Sequence, residues 1–170
     1  RILATTDGGN SWKAYATPLV QGGSAGGITV AFRDRLHGIV AGGDLASPAT
    51  APAPKERVAV SKDGGKNWRL VKAPPFDPAD FGGAVFGLSY VLGAGRRTVV
   101  ATGPGGTAWS PDEGERPWKL LPDLKGFWAV AFANREAGWL VGTEGRIIKI
   151  SFNNAGNSGD DDSDEENHAN

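Results

Sequence analysis

The chain has no cysteine and no methionine, and only two histidines and two tyrosines in 170 residues. Without cysteine there is no disulfide framework, no thiolate metal site and no cysteine nucleophile, and His37 and His168 alone cannot build a His-rich zinc cluster. No catalytic, metal or cofactor motif is read, so the expectation is none of the three. Also missing is any apolar stretch approaching the roughly 18 to 20 residues of a membrane-spanning helix, which predicts no integral membrane segment. No basic-then-apolar signal sequence opens the chain. It starts at Arg1 and holds no methionine, so the reading expects the C-terminal part of a longer protein and leaves the compartment unknown.

Glycine is what the chain has in excess, 26 residues, with 11 prolines and six tryptophans. The net charge of -1 hides an asymmetry, because residues 160–166 carry six carboxylates and no Lys or Arg follows Lys149. Without those six, 18 basic residues face 13 acidic ones, a body of about +5. That is too weak and too spread for a nucleic-acid stripe, so no nucleic-acid partner is expected. Residues 153–170 are poor in apolar side chains and read as a disordered acidic tail; residues 1–152 read as the folded unit.

Two repeats organise that unit, and a repeat decides the architecture before any local reading does. Thr5-Thr6-Asp7-Gly8-Gly9-Asn10-Ser11-Trp12 recurs as Ser61-Lys62-Asp63-Gly64-Gly65-Lys66-Asn67-Trp68. It returns in altered form from Ser110 through Asp112, Glu113, Gly114 and Arg116 to Trp118. A second element, Val30-Ala31-Phe32-Arg33 through Gly38, matches Val130-Ala131-Phe132-Ala133 through Gly138 at an offset of 100. Between turn signals the segments are short and rich in Val, Ile, Phe and Trp, without a sustained helical period, which favours strands. The pattern predicts units of four strands: 28–32, 37–41, 57–61 and 68–71, then 85–90, 97–102, 107–110 and 118–121. A last unit at 128–132, 138–141 and 146–152 lacks its fourth strand, and 2–5 with 12–15 supply only half a unit.

Four-stranded antiparallel units of this length are β-propeller blades. The fold class is therefore read as all-β, a partial β-propeller with about three blades present. The eight-residue signature resembles the Asp-box, or bacterial neuraminidase repeat, Ser/Thr-x-Asp-x-Gly-x-Ser/Thr-Trp. In it Asp accepts backbone N–H bonds in a tight turn, Gly supplies a positive-φ position and Trp packs between sheets. Asp7, Gly9, Trp12, Asp63, Gly65, Trp68, Asp112, Gly114 and Trp118 are assigned structural roles on that basis. In the third copy Glu113 replaces a glycine, Arg116 replaces Ser/Thr and Pro117 adds a residue, which leaves its turn geometry open.

The run from Gly138 through Trp139, Val141, Gly142 and Gly145 to Ile147 resembles the strand pair of photosystem II stability/assembly factor-like proteins. That resemblance implies a propeller serving as a protein-binding platform, with an unidentified protein partner. The alternative is an Asp-box glycoside hydrolase, sialidase-like or related, with catalytic residues partly in blades outside this chain. Candidate binding-rim residues are Arg33, Arg35 and Arg135 on first-to-second-strand connections, and Asp44 and Glu144 on second-to-third ones. The connection 42–56 is the longest, and its Pro/Ala run reads as an extended mobile loop, a neutral insertion in preference to a recognition loop.

Overall fold

The computed structural model describes residues 1–152, so the acidic tail assigned to 153–170 lies outside the described residues. Thirteen strands fall into four antiparallel sheets. The first holds β1 (Ile2–Ala4) and β2 (Lys13–Tyr15). The second holds β3 (Ala25–Phe32), β4 (Gly38–Asp44), β5 (Val58–Ser61) and β6 (Arg69–Leu70). The third runs β7 (Gly87–Tyr90), β8 (Val99–Gly103), β9 (Gly106–Ser110), β10 (Lys119–Leu121). The fourth has three strands, β11 (Phe127–Asn134), β12 (Ala137–Gly142) and β13 (Ile147–Ile150). In each of the last three sheets the strands lie side by side in chain order, as in a meander. The fold is the all-β blade arrangement that the repeat predicts, with fourth strands shorter than expected.

What makes the sheets radial is the packing of their first strands. β7 lies between β3 and β11, so the first strand of each of the last three sheets faces a shared interior while the others fan outward. The Phe132 N–H donates to Ser89 Oγ at 3.1 Å across two of these strands. Ile39, Val58 and Val60 of one sheet bury themselves against Val85, Leu88, Val99 and Ala108 of the next. The third sheet has neighbours on both sides, and β8 is buried along its whole length. The fourth has one described neighbour, and its β12 and β13 alternate between covered and exposed. That alternation is the period-2 signature of a sheet with one face packed.

The offset of 100 in sequence has a structural counterpart. The register of β3 against β4 shifts between Gly27 and Thr29, and that of β11 against β12 between Phe127 and Ala129. A bulge of this kind raises local twist, and here it recurs at the same rung of two sheets. Just beyond it, a Cβ on Gly42 would stand 1.8 Å from the Gly26 carbonyl oxygen, and one on Gly142 would stand 2.3 Å from that of Gly126. Only glycine permits strands to approach so closely.

Candidate functional site

At one end of the sheets, the connection between the third and fourth strands is clasped by a carboxylate and a hydroxyl. In the hairpin after β5, Ser61 Oγ donates to Asp63 Oδ1 at 2.9 Å and accepts the Gly65 N–H at 2.9 Å. Asp63 in turn accepts the Asn67 N–H at 2.9 Å and the Asn67 amide at 2.7 Å. The hairpin after β1 repeats this with Thr5, Asp7, Gly9 and Ser11. These bonds hold both carboxyls at about 2: Asp7 through Ser11, and Asp63 through Asn67.

The altered third copy folds the same way. Ser110 Oγ accepts the Gly114 N–H at 2.8 Å, and Arg116 donates to Asp112 through its backbone at 3.3 Å and its Nε at 2.5 Å. Glu113 takes φ 61°, the left-handed position that Gly8 and Gly64 fill at 71° and 74°. A glutamate there is strained unless its side chain is held, and it is. Glu113 is 6 % exposed; its Oε1 accepts Arg33 Nε at 2.8 Å and the Tyr90 hydroxyl at 2.8 Å, and its Oε2 accepts Arg97 Nε at 3.0 Å. Burial pushes the Glu113 carboxyl up, but the bonds from Arg33, Tyr90 and Arg97 outweigh it and leave it below its ordinary value.

The Tyr90–Glu113 contact pairs the residue types a sialidase uses as nucleophile and base. Its setting opposes that chemistry. Burial first, then the Glu113 charge, pushes the Tyr90 phenol far up, and a carboxylate tied to two guanidinium groups is a weak proton acceptor. The cluster ties the sheet of β3 to the sheet of β7.

The tryptophans occupy three different positions, where the repeat predicts one. The Trp118 indole N–H crosses to the Lys72 carbonyl of the preceding sheet at 2.6 Å and the ring is 6 % exposed. Trp68 donates to Gly65 within its own hairpin and is half-buried, with Phe32 edge-on at 6.1 Å. Trp12 donates to Gly9 and is 60 % exposed, because no described sheet precedes β1 and β2.

The candidate rim is not brought together. Arg33 turns inward, 10 % exposed, to Glu113 and Asp34. Arg35 is exposed and its carbonyl faces Gly64, while Arg135 sits beside Gly93 and reaches Glu136 at 3.5 Å. Asp44 and Glu144 lie at the opposite end of the sheets. Asp44 accepts Ser24 Oγ at 2.8 Å, and Glu144 sits exposed at φ 58° in a 3-10 turn. Antiparallel strands place these two kinds of connection at opposite ends, so one rim cannot hold all five. Glu113, Tyr90 and Arg97 went unread in the sequence; the glutamate where two copies have glycine was the available signal.

At that opposite end, Arg57 is 5 % exposed and has no acidic partner among the described residues. Its Nε donates to the Pro54 carbonyl at 2.7 Å, one terminal nitrogen to the Pro74 carbonyl at 3.0 Å and the other to the Gly83 carbonyl. It thereby fastens the 42–56 connection to the segment joining β6 and β7. The end of the Pro/Ala run, at Ala53 and Pro54, is folded against the body there, while Pro48, Ala49, Thr50 and Pro52 are exposed. Its Ala53, Pro54 and Lys55 form one wall of a groove of about 610 Å³, with Leu70, Val71 and Trp118 among the residues opposite. Among the described residues no group of three or more His, Asp or Glu is placed to hold a metal ion, and no helix is long and apolar enough to cross a membrane.

No protein-family model matches the chain, and no curated protein sequence matches it. Among solved structures it is similar to YCF48 bound to D1 peptide, with TM-score 0.53 and 17 % identity. The match covers 79 % of this chain and 42 % of that one, so this chain spans less than half of that protein's length. At this identity the likeness is one of fold, and that fold is a β-propeller.

Proposed function

We propose that the chain is part of an Asp-box β-propeller that serves as a protein-binding scaffold, in the manner of photosystem II assembly factor-like proteins, and that it catalyses no reaction of its own. The observation that carries this reading is the makeup of the shared interior. The inward strands β3, β7 and β11 contain no Asp or Glu along their length. A glycosidase needs two carboxyl groups roughly 5 to 9.5 Å apart across its substrate. The buried Glu113 is at the clasped end, committed to two arginines. The likeness to a propeller that carries a peptide supports the same reading.

A glycan-hydrolysis screen on the full-length protein, sialosides included, tests it. No turnover is expected. Turnover abolished by substitution of one central carboxylate would overturn the scaffold reading in favour of the hydrolase.

A further inference from the structure

The groove beside Arg57 combines positive charge with an apolar surface. Lys55, Arg57 and Lys72 line it, and no Asp or Glu does. Neither lysine has an acidic partner among the described residues, and both are exposed. Between the cations the floor is apolar: Leu70, Val71, Pro75 and the Trp118 ring. Two adjacent sheets and the 42–56 connection make its walls, so the recess lies between described elements of the fold.

A third feature is the strand that forms one side. β6 is the outer edge of its sheet, hydrogen-bonded to β5 on one side and, among the described residues, to no strand on the other. The Val71 N–H points inward to the Val58 carbonyl at 3.1 Å, so by strand alternation the N–H of Leu70 faces outward. Lys72, the next outward residue, already donates its N–H to the Gly114 carbonyl at 2.9 Å and accepts the Trp118 indole N–H, so the main chain left open is that of Leu70, which an extended chain can pair with while side-chain pockets beside it supply selectivity.

We propose that this groove docks an extended segment of a partner protein, one that pairs an aliphatic or aromatic side chain with neighbouring carboxylates. The apolar residue takes the Leu70–Trp118 floor, and the carboxylates face Lys55 and Lys72. Arg57 holds the wall in place through its three carbonyl contacts and adds a fixed positive potential behind it. The chain's own residues 153–170 are acidic but contain no Val, Leu, Ile, Phe, Trp or Tyr, so they match the charge of the groove and not its floor. This assignment rests on the scaffold reading and narrows it to one surface and one ligand chemistry.

The test is an array of random decapeptides probed with the full-length protein, its Lys55→Glu/Lys72→Glu variant, its Leu70→Asp variant and a form ending at Phe152. All three substituted positions are exposed, and thermal melting confirms that the variants fold. The wild type is expected to select peptides with an apolar residue beside Asp or Glu. Both substituted proteins lose that selection at least tenfold, the form ending at Phe152 keeps it, and binding weakens as salt rises. Selection unchanged in both variants overturns the groove assignment while the scaffold reading stands. Binding seen only after removal of the tail overturns it as well, since the occupant is then the tail. No selection by any form removes the support for both.

Discussion

The hairpins at 61–68 and 110–118 solve one problem with different side chains. Both close on a Ser–Asp clasp, and both need a residue in the left-handed region. The first uses Gly64 there and keeps its indole at home on Gly65; the second uses Glu113 and sends its indole across to Lys72. Gly64 donates its N–H to the Leu36 carbonyl at 2.8 Å and keeps the turn within its own sheet. Glu113 turns the same backbone position into an anchor for Arg33 of the neighbouring sheet and for Tyr90 and Arg97 of its own. A turn motif can thus be structural in every copy and still differ in what it joins.

The sharpest way to separate the two hairpins is through their indoles. Trp118→Ala removes a buried ring and its cross-sheet bond, and is expected to cost about 3–5 kcal/mol. The half-buried Trp68 is expected to cost less when truncated, and Trp12 least, as urea midpoints of the full-length protein will show. Glu113→Ala leaves Arg33 and Tyr90 facing an emptied buried site; breaking such a cluster from one side costs about 3 kcal/mol. Gly64→Ala forces a Cβ into the left-handed region 3.2 Å from the Arg35 carbonyl oxygen, an expected loss of about 1–2 kcal/mol. A smaller loss for Glu113→Ala than for Gly64→Ala would erase the distinction drawn between them.

The mildest effect concerns acid. The Asp63 carboxyl sits at about 2 against an ordinary 3.8. Between those values the unfolded chain binds more protons than the folded one. The stabilisation is therefore complete above about pH 4 and disappears as pH falls toward 2. Asp63→Asn is expected to flatten the fall of the urea midpoint between pH 4 and pH 2.

Much of the fold was legible because its period is carried by large residues. Trp12, Trp68 and Trp118 spaced the hairpins, and the Val-Ala-Phe runs at 30 and 130 marked equivalent first strands. The bulges at 28 and 128 were not legible, since a one-residue shift in pairing leaves no mark on composition. The site was less so. Arg33 and Arg135 occupy matching positions and invite one role, yet the partner of Arg33 lies 80 residues onward, in a sheet that only the radial packing brings close. The carbonyl-bound Arg57 could not be read either, because carbonyl oxygens are supplied by every residue alike.

That last arginine gives the molecule a direction. The turn clasps at one end depend on carboxylates, which protons can silence. The strap at the other end is a guanidinium held by peptide oxygens; burial lowers its pKa, and a fall in pH leaves it protonated. Acid should therefore loosen the Asp63 turn before the Arg57 strap, with amide exchange at Gly65 and Asn67 rising while that at Gly42 and Gly83 stays slow.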